Sequence, residues 1–269
     1  MFQIKKALVT GASSGIGKAI ADQLLGEGCE VFALSRRVLD ENQFQKGGTL
    51  HQIACDIADE QSLIEAFDQI KEKTDRLDVL FSNAGFGIAG AIADTPKTQV
   101  IRQFDLNVFS AVEVIRKAIP LLETAGGRIL LTSSVAAVVP LPFQSFYSAT
   151  KASLNILAQT LDTELKPFGI RAIAVMPGDV STNFTDHRDK KVCPVTHYGE
   201  RCESSIARME KDEREGTAPR VIARKFIRIA KKNHPKPLYG LGFFYKCVLL
   251  LYKLLPVRLM NKLIALLYG

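Results

Sequence analysis

The stretch that decides the fold is Lys6-Ala-Leu-Val-Thr10, followed directly by Gly11-Ala-Ser-Ser-Gly-Ile-Gly17. The first run is short and apolar, as is typical of a buried strand. Residues 15–27 then have the pattern of an amphipathic helix, and residues 29–35 indicate a second strand. Strand, glycine-rich turn, helix and strand form a βαβ unit, which binds phosphate groups at the helix N-terminus. The predicted contacts are Gly11, Ser13, Ser14, Gly15, Ile16 and Gly17.

The same alternation continues through most of the chain. Amphipathic helices are predicted at 62–73, 100–123 and 148–165, and apolar strands at 77–82, 128–134 and 170–176. Strands that alternate with helices favour a parallel sheet with helices on both faces. We therefore predict an α/β fold, a Rossmann-type doubly wound sheet in a single domain over 1–240. A helical C-terminal extension over 241–269 completes the chain.

Three polar residues form a candidate catalytic group. Tyr147 and Lys151 are four residues apart, a spacing that places both side chains on one face of a helix. Ser134 ends the strand-like run 128–134, thirteen residues earlier. A nearby ammonium favours the phenolate form of tyrosine and lowers its pKa from about 10. Such a pair on its own is usually a solvated helix face, but here it accompanies a predicted nucleotide site.

Together, the glycine-rich stretch from Thr10 to Gly17 and the Tyr147-x-x-x-Lys151 spacing resemble the short-chain dehydrogenase/reductase family. The resemblance covers about residues 4–185. The catalytic residues that it implies are Asn107, Ser134, Tyr147 and Lys151. The further cofactor contacts that it implies are Asp56, Ile57, Asn83, Ala84, Gly85, Tyr147, Lys151, Pro177, Gly178, Val180 and Thr182.

The resemblance also implies a role for each catalytic residue. Tyr147 would exchange a proton with the substrate oxygen as general acid or base. Lys151 would lower the pKa of Tyr147 and hold the nicotinamide ribose. Ser134 would hydrogen-bond the substrate oxygen, and Asn107 would position a water that links Lys151 to solvent. A non-catalytic protein that senses NADP(H), or a membrane-bound scaffold on the same fold, is the alternative, although neither needs this set of four residues.

The end of the second strand predicts the cofactor. An acidic residue there would bind the ribose 2′-hydroxyl of NAD and repel a 2′-phosphate. This chain has Ser35, Arg36 and Arg37 instead. Guanidinium groups pair well with phosphate oxygens, so NADP(H) is the predicted cofactor. The alternative is that Arg36 and Arg37 only belong to a solvated loop.

Cysteine and histidine usage predicts neither a disulfide framework nor a metal site. The five cysteines are scattered, odd in number and without CxxC spacing, which favours free thiols in a reducing compartment. The four histidines lack the spacing of metal ligands. The chain enters a strand-like segment almost at once, so we expect no signal peptide and a cytoplasmic location.

The substrate is expected to be a hydrophobic ketone or secondary alcohol. The 141–143 turn before Tyr147 and the apolar C-terminal segment favour such a ligand, with Ser134, Phe143 and Tyr147 as its predicted contacts. These features resemble hydroxysteroid dehydrogenases, with retinal and long-chain ketone reductases as close alternatives. The resemblance also implies a lid at about 181–218. It further implies a homodimer or homotetramer through the helices on either side of Ser134.

The C-terminal segment concentrates positive charge. Residues 216–269 contain eleven Lys and Arg and no Asp or Glu. Two amphipathic helices are predicted with a break at Pro256. Their apolar runs are too short to span a bilayer, which needs about 18 residues. The helices would contact an anionic membrane surface, close the substrate pocket or form an oligomer contact. Nucleic-acid binding is not expected because no recognised module is present.

Overall fold

A parallel sheet of seven strands forms the centre of the protein. The computed structural model describes residues 1–190, 198 and 200–268. The spatial order of the strands is β3-β2-β1-β4-β6-β7-β9, and every neighbouring pair is parallel. The sheet strands are β1 (Lys6–Thr10), β2 (Glu30–Ser35), β3 (Thr49–Ala54), β4 (Val79–Ser82), β6 (Arg128–Thr132), β7 (Arg171–Met176) and β9 (Leu238–Gly240). Two short strands, β5 (Ile88–Ala89) and β8 (Asp189–Lys190), pair separately.

Helices cover both faces of this sheet. They are α1 (Gly15–Gly26), α2 (Glu60–Lys73), α3 (Lys97–Phe104), α4 (Ser110–Glu123), α5 (Ser145–Glu164), α6 (Glu200–Arg214), α7 (Pro219–Ala230), α8 (Phe243–Leu254) and α9 (Val257–Tyr268). Leu8 of β1 packs in the cluster that includes α2, α4 and α5. Its neighbours Ala7 and Val9 pack in the cluster formed with α1 and α7. The predicted doubly wound α/β architecture is therefore confirmed.

The helix predicted over 100–123 is one continuous run with an irregular centre. A π-helical segment, Asp105–Phe109, joins α3 to α4 without a break. Single turns of this kind occur inside α-helices, frequently at functional sites. Here the segment carries Asn107, whose side chain is buried.

The segments predicted as a lid and as a C-terminal extension also contain regular structure. Residues 181–218 include β8 and α6, and residues 241–268 form α8 and α9 with Pro256 between them. Inner side chains of α8 and α9 pack with Val135, Val139 and Met176. Among the described residues, none of the helices is both long enough and apolar enough to cross a bilayer.

The cysteines divide into two groups. Cys29, Cys55 and Cys247 carry free thiols, as predicted. Cys202 is disulfide-bonded, so the prediction of a free thiol is wrong at that position. Cys193 and His197 lie outside the described residues. Across the described ranges, no cluster of three or more His, Cys, Asp or Glu side chains is arranged to hold a metal ion.

Candidate active site

The glycine-rich turn between β1 and α1 adopts a backbone that favours glycine. Gly11 has a φ of +67° and Gly15 a φ of +55°, in the left-handed region that other residues rarely enter. A Cβ atom on Gly17 would lie 2.4 Å from the Gly11 carbonyl oxygen. Glycine at this position therefore allows α1 to begin directly against the turn. The N-cap residue Ser14 makes no side-chain hydrogen bond to the first turn of α1.

Hydrogen bonds tie this turn to the neighbouring strands. The Thr10 hydroxyl accepts the backbone N–H groups of Asn83 at 3.0 Å and Ala84 at 3.1 Å. The Thr132 hydroxyl donates to Asn83 Oδ1 at 3.2 Å. These bonds join the carboxyl ends of β1, β4 and β6. Ligands bind in the crevice outside such strand ends in open α/β sheets.

One continuous cavity of about 1180 Å³ occupies this crevice. Most of the predicted site residues line it: Gly11, Ser13, Ser14, Gly15, Ile16, Ser35, Arg36, Arg37, Asp56, Ile57, Asn83, Ala84, Gly85, Ser134, Tyr147, Lys151, Pro177, Gly178, Val180 and Thr182. Gly17, Asn107 and Phe143 do not belong to the lining. Gly17 is instead buried against Gly11.

The end of β2 presents two cations to the cavity. Arg36 and Arg37 are exposed, and neither forms an ion pair with any described residue. The Ser35 hydroxyl donates to the Arg37 carbonyl oxygen at 2.6 Å. Asp56, at the end of the adjacent β3, accepts the N–H of Ala58 at 3.1 Å. Both guanidinium groups are thus free to bind an anion.

Three of the four predicted catalytic residues meet on the other side of the cavity. Lys151 is buried, and its Nζ donates to the Thr132 carbonyl oxygen at 2.8 Å. The same Nζ lies 5.6 Å from the centroid of the Tyr147 ring. The Ser134 side chain also acts on Tyr147 and lowers the pKa of its hydroxyl, in opposition to burial. Helix α5 therefore brings Tyr147 and Lys151 to the end of β6, where Ser134 lies.

Burial dominates the pKa of both titratable groups. It raises the pKa of Tyr147 to about 12, opposed by the Arg188 cation and assisted by the Glu213 carboxylate. Burial also lowers the pKa of Lys151 to about 8. The shift of Tyr147 comes from burial and from Arg188, Glu213, Ser134 and Asp179, so the expected lowering of its pKa by Lys151 stays a prediction.

Asn107 supports the site from behind. Its Oδ1 accepts the N–H of Phe86 at 3.0 Å. Its Nδ2 donates to the Phe86 carbonyl oxygen at 2.9 Å and to the Thr150 hydroxyl at 3.0 Å. Both polar atoms of the amide therefore form hydrogen bonds with protein groups. These bonds hold the loop after Gly85 against α5.

Phe143 does not line the cavity, so the structure gives no support to its prediction as a substrate contact. Its φ is +60°, the one left-handed value among the described residues that are not glycine. Its ring packs edge-on against Tyr198, with 6.0 Å between centroids. The side chains that line the substrate half instead come from Leu141, Gln144, Phe184, Met209 and the helices α8 and α9.

The structure shows two polar pairs near Tyr147 that the sequence analysis did not predict. The Arg188 side chain is 2% exposed and forms an ion pair with Glu213, which also accepts the Thr185 hydroxyl at 2.6 Å. The Tyr245 hydroxyl donates to the Asp179 carboxylate and accepts the Asp179 N–H at 3.0 Å. Each pair joins residues from different segments, so only the folded chain brings them together.

Comparison with known proteins identifies the family. The model of the family described as short chain dehydrogenase matches residues 5–192. The chain belongs to this family. A short-chain dehydrogenase is an oxidoreductase that uses a nicotinamide cofactor, and the described site suits one. The glycine turn leaves room for a pyrophosphate beside α1, and a Cβ at Gly15 would lie 3.5 Å from Thr182, so the 177–182 loop closes over the turn.

Several curated short-chain dehydrogenases resemble this one over most of its length. A 3-ketodihydrosphingosine reductase of Bacteroides thetaiotaomicron is 36% identical over 85% of this chain and 84% of the relative. The NADPH-dependent 1-acyldihydroxyacetone phosphate reductase of Saccharomyces cerevisiae is 30% identical over 96% and 89%. A crystal structure of a short-chain dehydrogenase from Streptomyces avermitilis superposes with a TM-score of 0.80, at 27% identity over 91% and 92% of the two chains.

Proposed function

We propose that this short-chain dehydrogenase is an NADPH-dependent reductase of ketones that carry a long hydrocarbon chain. The main support for the proposal is that Ser134, Tyr147 and Lys151 line the same cavity as a large group of apolar side chains, which form its substrate half. That half includes side chains from the turn at 141–144, the loop at 182–187, α6, α8 and α9. A cavity of this shape favours a substrate with a ketone at one end and an apolar chain at the other.

The proposed reaction needs one hydride and one proton. When bound, NADPH supplies the hydride to the carbonyl carbon. Tyr147 donates the hydroxyl proton to the carbonyl oxygen, and its raised pKa keeps that proton in place at neutral pH. Ser134 donates a hydrogen bond to the same oxygen, where negative charge develops. Lys151 supplies positive charge beside the Tyr147 ring and holds the nicotinamide ribose.

Arg36 and Arg37 support NADPH as the preferred cofactor. Both line the cavity at the end of β2, where an acidic residue would favour NADH. Free guanidinium groups bind a 2′-phosphate through charge-assisted hydrogen bonds. The yeast relative and a 28% identical relative from Ornithobacterium rhinotracheale, a 3-dehydrocapnine reductase, are both named as NADPH-dependent. These names agree with the proposal.

The relatives favour a long-chain ketone over a steroid or retinal. The Bacteroides and yeast proteins are named for 3-ketodihydrosphingosine and 1-acyldihydroxyacetone phosphate, two ketones that carry a long alkyl or acyl chain. The hydroxysteroid dehydrogenase subtype suggested by the sequence has no such support. A flexible chain also suits a cavity lined by leucine, valine and methionine side chains of α8 and α9.

A substrate panel tests this proposal. Purified protein is mixed with NADPH and either a long-chain 3-ketone, a steroid ketone or retinal, and the loss of NADPH absorbance is followed. We expect turnover with the long-chain ketone, and a kcat/KM that increases with chain length because each buried methylene contributes about 0.8 kcal/mol. Preferred turnover of the steroid ketone or of retinal would contradict the substrate assignment.

The non-catalytic alternative gives a different result. A protein that only senses NADP(H) would bind NADPH and reduce no ketone at all. The retention of Ser134, Tyr147 and Lys151 around one cavity favours the enzyme, since a binding protein needs no proton donor at that place. Tight NADPH binding, with no oxidation across the whole panel, would favour the sensor.

A further inference from the structure

Helices α8 and α9 present a large apolar surface to solvent. We call it the C-terminal apolar face: Phe243, Phe244, Leu250, Leu251, Leu254, Val257, Leu259, Leu263, Leu266 and Leu267, each at least 41% exposed. Phe243 and Leu266 reach 86% and 80%. Tyr245, Val248 and Ile264, on the opposite sides of the two helices, pack on the domain. A contiguous apolar surface of this kind marks an interaction site.

Four cations border this face. Lys246 and Lys253 are seven residues apart on α8, and Arg258 and Lys262 are four apart on α9, so each pair shares one side of its helix. All four are exposed, and none forms an ion pair with a described residue. Residues 216–268 contain no Asp or Glu, so nothing on these helices neutralises them.

The substrate cavity reaches the same surface. Phe244, Leu251, Leu263, Leu266 and Leu267 belong to the C-terminal apolar face and also line the cavity. These exposed side chains therefore form part of its mouth. A hydrocarbon chain that leaves the cavity between them would enter water if the face were free, at a cost of about 0.8 kcal/mol per methylene.

We propose that the C-terminal apolar face docks on an anionic lipid bilayer, with the mouth of the substrate cavity against the lipid. Amphipathic helices lie in the plane of the interface when one side is apolar and the flanking side chains are cationic. Lys and Arg near an anionic surface each contribute about 1 kcal/mol. The use of the mouth as an entrance for a lipid ketone rests on the proposed function, whereas the docking itself does not.

The charges argue for lipid over a second copy of the chain. Two copies joined through this face would bring the same unpaired cations of α8 and α9 together, and like charges repel. An anionic bilayer supplies the opposite charge and an apolar layer at once. Neither helix is long enough to span it, so the contact would be confined to one leaflet.

Sedimentation with vesicles tests the docking on the full chain. Vesicles of phosphatidylcholine with phosphatidylglycerol are compared with pure phosphatidylcholine, and neither substrate nor NADPH is added. The test variant is Lys246→Ala, Lys253→Ala, Arg258→Ala and Lys262→Ala combined. The control removes four exposed lysines elsewhere: Lys46→Ala, Lys73→Ala, Lys97→Ala and Lys166→Ala. We expect the test variant to lose about 1,000-fold in partition onto the anionic vesicles, from about 1 kcal/mol for each of four cations, and the control to lose little.

A second variant separates the apolar contribution from charge. Phe243→Ser, Leu254→Ser and Leu259→Ser alter the C-terminal apolar face without touching the cavity lining. We expect this variant to lose binding to the anionic vesicles by at least about tenfold. Its NADPH-dependent turnover of a short, water-soluble ketone should stay unchanged, which shows that it is folded.

Three outcomes would overturn the proposal. The wild-type chain could fail to pellet with anionic vesicles, or the control could lose as much binding as the test variant. The serine variant could instead change the subunit number in sedimentation equilibrium without changing vesicle binding, which would make the face a contact between copies. A failure of the proposed function appears separately, as vesicle binding without turnover of any ketone.

Discussion

At the scale of single residues, burial keeps the Tyr147 hydroxyl protonated and makes the Lys151 ammonium easier to deprotonate. Removal of water disfavours a charge of either sign, so it raises the pKa of the phenol and lowers that of the ammonium. With a pKa of about 8, Lys151 remains mostly protonated at neutral pH. Tyr147 then holds the proton that the proposed ketone reduction requires.

The pH dependence of turnover follows from Lys151. Its pKa is lowered to about 8, so the cation is present below that pH and lost above it. We expect kcat/KM for NADPH, which reports ionisations of the free enzyme, to be level below about pH 8 and to fall about tenfold per unit above it. A profile that stays level to about pH 10 would show that the Lys151 charge is not needed.

The proposed preference for NADPH rests on Arg36 and Arg37. The double variant Arg36→Ala/Arg37→Ala removes the charge-assisted hydrogen bonds to a 2′-phosphate, each worth about 1.5–3 kcal/mol. We expect the KM for NADPH to rise by about 100-fold and the KM for NADH to change less than about threefold. Lys46→Ala, an exposed cation outside the cavity lining, is the control. An equal effect on both cofactors would contradict the assignment.

At the scale of elements, the pairing of Arg188 with Glu213 joins the segment after β7 to α6. The Arg188 side chain is 2% exposed and that of Glu213 is 14% exposed. A buried cation that loses its partner retains its desolvation cost, so breaking such a pair destabilises a protein by about 3–5 kcal/mol. Both charges also act on the pKa of Tyr147, in opposite directions. The pair thus links the stability of the segment predicted as a lid to the active site.

Urea denaturation of Glu213→Gln tests this link. The substitution leaves the Arg188 cation buried and unpaired, and we expect the free energy of unfolding to fall by about 3 kcal/mol. The control is Glu113→Gln, which breaks the exposed pair with Arg116 and should cost less than about 1 kcal/mol. Combined Arg188→Met and Glu213→Leu should recover most of the loss. Equal stability of Glu213→Gln and wild type would exclude the proposed role.

The elements that the sequence predicts well are those with local signals. Apolar runs and helical periodicity place the five predicted strands and the helices to within a few residues, and the two helices around Pro256 are found where expected. The sequence does not predict the left-handed backbone of Phe143, because glycine is the residue type that indicates this conformation. Contacts such as Tyr245 with Asp179, 66 residues apart, depend on tertiary packing and were not predictable.

At the scale of the whole molecule, the sheet order decides where the site forms. β1 lies between β2 and β4. The strands that follow β1 are therefore added first on one side of it (β2, β3) and then on the other (β4, β6, β7), although all of them are parallel. The loops after β1 and β4 diverge to opposite sides and open the crevice that holds the cavity. The order of motifs along the sequence predicts this crevice. Its enclosure by α8 and α9 was one of three alternatives, and the sequence could not choose among them.

Self-association is expected through α4 and α5, the helices on either side of Ser134. Phe109, directly before α4, and Ile156 of α5 are 56% and 63% exposed, as suits a contact between copies. We expect Phe109→Lys/Ile156→Lys to lower the mass measured by light scattering to that of a single chain. Ile92→Lys, which changes an equally exposed residue elsewhere, should leave the mass unchanged. A single-chain mass for the wild type would contradict the expectation.

The most direct test of the central claim follows the hydride itself. A long-chain 3-ketone is incubated with NADPH that carries deuterium at the transferred C4 position, and the alcohol product is examined by mass spectrometry. We predict one deuterium on the carbinol carbon with the wild type, and a rate lower by about 100- to 10,000-fold with Tyr147→Phe although NADPH still binds. An unlabelled product, or an undiminished rate with Tyr147→Phe, would contradict the assignment of hydride transfer to NADPH and of proton transfer to Tyr147.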